Sequence, residues 1–478
     1  MGVMVKRKET PQSRMPLRSM RRWGFCVLLL ITAARGAAGQ RAELERNIRR
    51  TTLPNGLDVI VVENHGVPLA TVEIDVRNGS FTQDSAFEGL SHLYEHMFFR
   101  ADSAYPQPDA FQERASSLGA EFNGSTQEER VNYYLTLPSD SLAAGMGLLA
   151  AAVMHPLFRD DELKREGAVV IGEYDRDESQ PGFRFQNAMG RALWGSAWPR
   201  KNPLGRRSAI LNATPAQMQE IQHRYYVPNN SALIVSGDVS AAHVFAEAER
   251  FFGGWQRAAD PFTQWPIPPV PPLPHDTGVV VEEPISTALV MFQWQGPSAS
   301  EDRASTYAAD VFSDVLNQPG SRLQRHLVDS GLFESIGVNY YTQNHVGPIT
   351  ISGETSPARV REAIAALERE IRAFGDDGYF SAQELEPVKR QRITGTMFGL
   401  ERASGFAHQL GFWWAVTGLD YYLGYVDAMA HETVPDLQRY ARKYIVGKPH
   451  VRGVLIDSDA NRTVRLTAEE LTRWKEPR

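Results

Sequence analysis

One order of elements occurs twice in this chain, and that repetition constrains its fold more than any other feature. A helical pattern over 215–225 runs through Tyr226-Val227-Pro228-Asn229-Asn230 into an apolar strand over 232–236, which closes on Gly237-Asp238. The same order returns near the end, with a helical pattern over 435–444, the turn Ile445-Val446-Gly447-Lys448-Pro449, a strand over 451–456 and then Asp457. The alternating segment Ala70-Thr71-Val72-Glu73-Ile74-Asp75-Val76 has its counterpart in Ala288-Leu289-Val290-Met291-Phe292-Gln293-Trp294. Between the copies, residues 259–274 hold seven prolines. Proline lacks the N–H that a helix or ladder needs, so this stretch reads as a stiff linker with few helix or sheet partners. The pattern predicts an α+β fold of two homologous domains, each a mainly antiparallel sheet packed by helices. They span 45–255 and 278–465, and a Pro-rich linker at 256–277 joins them.

Further elements follow from periodicity. Strands are predicted over 57–62 and 131–137, and helices over 87–99, 108–118, 139–154, 160–177 and 361–374. A chain of 478 residues with 42% hydrophobic and 22% charged content has ample material for large cores. Its net charge of −7 and pI near 6.0 carry no basic footprint, which argues against nucleic acid as a partner. Cys26 is the single cysteine, so an internal disulfide and a multi-cysteine zinc site are both excluded. Any metal must be held by His, Asp or Glu.

The first residues have the order of a secretory signal. Lys6, Arg7, Lys8, Arg14, Arg18, Arg21 and Arg22 make a cationic start, residues 23–34 are apolar, and Ala37-Ala38-Gly39 offers small residues for cleavage. The expectation is a signal peptide over 1–39 and an exported protein, periplasmic or secreted, with a mitochondrial presequence as the alternative. The apolar run is short for a membrane span, so the mature chain is expected to carry none. Cys26 would leave with the signal, giving a cysteine-free chain suited to an oxidising compartment.

The chemistry concentrates in His92-Leu93-Tyr94-Glu95-His96. On a helix, His92 and His96 lie about 40° apart around the axis, with Glu95 beside them. Two imidazoles one turn apart can share one zinc ion, and a neighbouring carboxylate can take a proton from its water. Spacing of this kind also arises by chance on helices, but the inverted His-x-x-Glu-His order is a zinc-peptidase signature. A catalytic zinc needs a third protein ligand. The candidate lies in Glu166-Gly167-Ala168-Val169-Val170-Ile171-Gly172-Glu173, whose two glutamates share a helix face, about 20° apart. Alone, that run would read as an ordinary amphipathic helix with solvated acids.

Together, His-x-x-Glu-His and Glu-x6-Glu resemble the pitrilysin/insulinase family of zinc metallopeptidases, which includes the mitochondrial processing peptidases. Glu173 follows His96 by 77 residues, in keeping with the family spacing. Leu53-Pro54-Asn55-Gly56-Leu57, Gly89-Leu90-Ser91, Asn123-Gly124-Ser125-Thr126, Pro156-Leu157-Phe158 and Asn202-Pro203-Leu204-Gly205 also stand in family order. The resemblance runs over roughly 50–460. It implies a zinc endopeptidase in which His92, His96 and Glu173 hold one zinc ion per chain. Glu95 would be the general base, and Glu166 would orient a ligand histidine. Phe122, Asn123, Gly124 and Ser125 would bind a peptide substrate as an added strand.

One departure stands out. Many active members also carry an Arg and a Tyr seven residues apart, which help hold the substrate carbonyl. Aligned here, those positions are Leu327 and Glu334, with Tyr340 and Tyr341 close by. In some two-chain members of the family, one subunit holds zinc and the other holds that pair. The expected partner is therefore a similarly sized paralogous subunit, or a second copy in a homodimer. The rival readings are a non-catalytic assembly or peptide-binding subunit of the same fold and an exported binding protein with incidental histidines.

Overall fold

The computed structural model describes residues 45–398 and 403–474, so the segment read as an export signal lies outside the described residues. Among the described residues, eleven strands form two sheets. The first contains β1 (Ile48–Thr52), β2 (Asp58–Glu63), β3 (Leu69–Val76), β4 (Glu121–Thr126), β5 (Val131–Pro138) and β6 (Ser231–Gly237). Its spatial order is β1-β2-β6-β3-β5-β4. The second contains β7 (Thr277–Glu282), β8 (Ala288–Ser298), β9 (Ser335–Tyr340), β10 (Val346–Thr355) and β11 (Val451–Ile456), in the order β7-β11-β8-β10-β9. Each sheet is antiparallel except for one pair, β2 with β6 and β7 with β11. The two orders are the same once β1 is set aside. The expected α+β class with two like, mainly antiparallel sheets is the observed one.

The principal helices are α1 (Leu90–Phe98), α2 (Leu142–Met154), α3 (Asp160–Glu178), α4 (Pro181–Trp194), α5 (Pro215–Tyr225), α6 (Ala241–Phe252), α7 (Arg303–Asn317), α8 (Val360–Ala373), α9 (Ala382–Phe398), α10 (Ala403–Val416), α11 (Leu419–His431) and α12 (Val434–Tyr444). Apolar residues of α1, α2, α3, α5 and α6 build one core on the first sheet, and those of α7, α8 and α12 build another on the second. The opposite faces are covered by exchange. From α10, Phe406, Leu410 and Trp414 pack on Ile60, Val62 and Ile234 of the first sheet. From α4, Phe185, Met189 and Leu193 pack on Met291, Val451 and Leu455 of the second. Each half thus closes the other half's core.

The proline-rich stretch has more partners than its sequence suggests. It opens with the short helix Pro261–Gln264, whose first turn is capped by the Asp260 side chain. Beyond it, the Leu273 N–H donates to Gln295 Oε1 at 3.1 Å, and Gln295 Nε2 donates to the Pro271 carbonyl at 3.0 Å. One amide on β8 thus satisfies a donor and an acceptor of the linker.

Candidate metal centre

Leu90, Leu93, Tyr94, Met97 and Phe98 are all buried and recur at the spacing of one helix face, so burial drives α1 onto the sheet. Each large side chain contributes about 1.5–3 kcal/mol on full burial. Tyr94 stacks on Tyr226 at 4.0 Å between centroids and Phe98 on Tyr133 at 3.6 Å, which sets the helix's rotation. The helix starts from Gly89 at φ 95°, a left-handed conformation that costs glycine little. With the apolar face spent, His92, Glu95 and His96 are left to face the cleft.

The third group comes from α3. Leu163, Glu166, Gly167 and Val170 turn inward, and one turn beyond Val170 the Glu173 carboxylate reaches both rings. Its Oε2 lies 3.5 Å from His92 Nε2 and 3.7 Å from His96 Nε2. All three donor atoms lie within 4.8 Å of one another. The imidazole planes stand 77° apart with centroids 5.1 Å apart, so the rings converge on a point without stacking. Donors held about 2 Å from a tetrahedral zinc are separated by roughly 3.3 Å, close to the two spacings seen here.

The electrostatics suit a cation. Burial, with the neighbouring His96 adding to it, pushes His92 down to about 4, which leaves its imidazole neutral with a free lone pair. Its Nδ1 is buried with no hydrogen-bond partner. Burial alone would lower His96 as well. The Glu166 hydrogen bond and the carboxylates of Glu173 and Glu95 outweigh it and raise the ring above its ordinary value. His96 Nδ1 lies 3.3 Å from Glu166 Oε2, and Arg100 donates to the other Glu166 oxygen at 2.8 Å. A carboxylate behind a ligand histidine fixes the ring and its tautomer. Glu166 is buried, yet His96 and Arg100 outweigh that burial and hold it below the usual carboxylate range.

Glu95 is buried against β4, and that burial raises its carboxyl above the ordinary value despite a 2.7 Å hydrogen bond from Thr126 Oγ1. Gly124 makes the approach possible, because a Cβ there would stand 2.9 Å from Glu95 Cγ. A cavity of about 340 Å³ opens beside these groups, and Pro203 and Leu204 also line it. β4 is the outermost strand of its sheet, so its far edge has no strand partner among the described residues.

The four residues expected to bind substrate part company on this strand. Gly124 abuts Glu95, and Phe122 packs with Phe99 and Phe111 in the core. Asn123 accepts its neighbour's N–H from Gly124 at 2.9 Å, and the Ser125 hydroxyl donates to Asn132 Oδ1 at 2.5 Å. Arg100 and Thr126 were missed by sequence reasoning. Both were findable: Arg100 lies one helical turn beyond His96, and Thr126 lies two residues past Gly124, on the same strand face. Leu327 is buried in the second core. Tyr340 donates to the Pro297 carbonyl at 3.0 Å, and the Tyr341 hydroxyl is bonded to Glu128.

Two family models match, and they adjoin. The insulinase model (peptidase family M16) covers residues 58–207, and the model described as the peptidase M16 inactive domain covers 212–392. The chain belongs to the insulinase family of peptidases. It is of the half-length type. Among its relatives, the uncharacterized zinc protease YmxG of Bacillus subtilis is 24% identical over 356 residues, 74% of this chain and 85% of that protein. Two solved structures share the fold. A protease from Helicobacter pylori superposes with a TM-score of 0.74 at 21% identity, covering 85% of this chain and 99% of that one. The periplasmic protease PqqL from Escherichia coli superposes at 0.72 and 16% identity, covering 89% of this chain but 49% of its own. This insulinase-family chain therefore corresponds to about half of PqqL. Among the described residues, no helix is long and apolar enough to cross a membrane.

Proposed function

We propose that this insulinase-family chain is a zinc endopeptidase that hydrolyses peptides or unfolded polypeptides, with zinc held by His92, His96 and Glu173. The observation that carries this reading is the approach of one Glu173 oxygen to both imidazoles from a helix 77 residues further along the chain. When bound, zinc supplies Lewis acidity, polarising a carbonyl and acidifying water. Glu95 is the general base. Its raised carboxyl takes the proton of the attacking water and returns it to the leaving amine. Thr126 fixes one Glu95 oxygen, so the other faces the cleft. Glu166, itself held by Arg100, orients His96. Substrate adds to the open edge of β4 beside Gly124 by main-chain hydrogen bonds, so sequence preference is modest.

The deciding experiment pairs metal analysis with peptide cleavage. The parent should hold close to one zinc per chain and cleave a fluorogenic peptide. A chain that carries no zinc after purification in metal-replete buffer would leave the reading without support.

The chain is further proposed to act as the zinc-bearing subunit of a pair, with domains at 45–255 and 278–465. Leu327 and Glu334 stand where active relatives carry Arg and Tyr, and a partner of similar size would supply that pair. Mixing the purified chain with such a paralogue should raise activity, and full activity from the lone chain would count against it. The cationic and apolar start of the chain supports export of the mature protein.

A further inference from the structure

The face of the first sheet turned away from α1 carries buried charge beneath a helix of the second half. Glu73 and Asp75 of β3 and Arg130 and Asn132 of β5 are buried on that face. The Arg130 Nη2 pairs with Glu73, and its Nε pairs with Asp75. Glu73 Oε1 also accepts from Asn132 Nδ2 at 2.7 Å, and Glu73 Oε2 accepts from His408 Nδ1. His408 belongs to α10. Gly411, about one turn further along α10, abuts the Asp75 carboxylate, and a Cβ there would collide with it. The His408 ring also packs on Tyr134, with 4.3 Å between centroids.

The second sheet shows that a covering helix does not require charge at this place. Val235 and Val454 each stand three residues before the aspartate that follows the strand, Asp238 and Asp457. In the first sheet Val235 faces Val72, Val72 faces Leu135, and Leu135 faces Phe122. In the second, Val454 faces Val290, Val290 faces Gly353, and Gly353 faces Ile336. Phe122 and Ile336 are therefore equivalent, as are Gly124 and Val338, and Glu73 and Met291. Met291 packs with Phe185 and Met189 of α4. Burying paired ions is costly where apolar contact would serve, so the charged line under α10 does more than seat the helix. It leads to the strand edge. Glu73 only accepts, so it takes the NH2 end of the Asn132 amide and turns the carbonyl end toward β4. There the Ser125 hydroxyl donates to Asn132 Oδ1 at 2.5 Å. Ser125 and Asn132 are direct partners in the β4–β5 ladder, and Ser125 follows Gly124, beside which Glu95 sits.

We propose that His408 is a positioning residue for the peptide edge. Through Glu73, Asn132 and Ser125 it holds the outer strand β4 against β5, so that the open edge is fixed when a peptide main chain adds to it. This rests on the reading of that edge as the substrate site. The second half of the chain thereby acts on the first without touching the metal centre, because Glu95 hangs from Thr126 on the other face of β4. Linked hydrogen bonds polarise one another, so removing the first partner weakens the last.

Amide hydrogen exchange on the full chain, read by mass spectrometry, tests this. His408→Ala should speed exchange over residues 121–126 by about threefold, while β1 and β2 keep the parent rate. His408→Phe keeps the packing on Tyr134 but cannot bond Glu73, and should act alike. His408→Gln, whose amide can donate to Glu73, should restore the parent rate. Ser125→Ala cuts only the last link, at an exposed site, and should speed the same segment. Adding His408→Ala to it should then change little, since both act along one path. Parent-rate exchange over 121–126 in both His408→Ala and His408→Phe, or additive effects of the Ser125 and His408 changes, would overturn the proposal. Exchange needs no catalysis, so these outcomes decide the path even if the parent cleaves nothing and the peptidase reading fails. In a parent that cleaves, His408→Ala should raise KM for a fluorogenic peptide about threefold, with kcat and zinc content at the parent level. An unchanged KM would overturn the positioning role.

Discussion

Gly124 and Val338 occupy the same place in two like sheets, and opposite things happen there. Beside Gly124, Glu95 keeps its carboxylate off the strand edge and turned to the cleft, so the outer edge of β4 stays open. Beside Val338, Asn317 takes both main-chain groups of the edge for itself. The charge balance differs as well. The first cleft gathers two imidazoles and two acidic side chains whose spacing suits an external cation. The second gathers Asp310 and Asp314 around the guanidinium of Arg392, a cation the chain supplies itself. One scaffold thus groups ligand-type side chains at one junction and an internal ion pair at the other, and a few side chains decide which.

The contrast is broken most severely at Glu95. Glu95→Gln should lower kcat by about 10²–10⁴ while zinc content stays at the parent level, since it removes the base and no ligand. Parent-rate cleavage by that variant, read with a fluorogenic peptide, would assign the base elsewhere.

Asp310 gives the next effect, through pH. It is buried, and although Arg392 and the Tyr425 hydroxyl, which donates to it at 2.6 Å, favour its charge, burial pushes its carboxyl from 3.8 up to about 6. Asp314 on its own helix adds repulsion, and the phenols of Tyr340, Tyr421 and Tyr440 complete its surroundings. A carboxyl raised in the folded state stabilises the fold while protonated. That contribution is full below 3.8 and is lost as pH rises through 6, at about 3 kcal/mol across the window. Urea unfolding from pH 4 to pH 7 should show Asp310→Asn with a flatter pH dependence than the parent. Parallel curves would remove Asp310 from the account.

Glu166→Gln should weaken zinc binding by about 10–100-fold, because His96 loses the charged partner that orients its ring. Competition with a chromophoric chelator measures this, and unaltered affinity would show that Arg100 and packing suffice. The smallest effect concerns the exchanged helices. A Cβ at Gly453 would meet Met189 and the Phe185 ring of α4, so Gly453→Ala should cost about 1–2 kcal/mol in denaturant unfolding, part of the strain being absorbed by the flexible thioether. No loss would mean that α4 is not seated on the second sheet as described.

Much of this was legible in the chain. Helix α5 begins and ends where Pro215 and Tyr225 predict, because a Thr214–Gln217 capping box and a proline in the first turn mark its start locally. Helix α1 is shorter than its apolar pattern, since Gly89 adopts a left-handed conformation and starts the helix after Phe87. The metal candidates were legible because a His pair one turn apart is a local pattern. Glu173 was reachable only through resemblance, since nothing in the intervening residues says which carboxylate returns to the rings.

By itself the sequence determined the repeat, the alternation that turns each strand's face inward, and the helical turn that carries both imidazoles, because periodicities of two and 3.6 are local properties of the backbone. Only the tertiary structure decided that α4 and α10 cross to the opposite sheets, that Arg100 backs Glu166, and that Asn317 takes the place of Glu95. Those outcomes depend on contacts between residues far apart in the chain, where packing of whole faces selects one arrangement among many that local pattern permits.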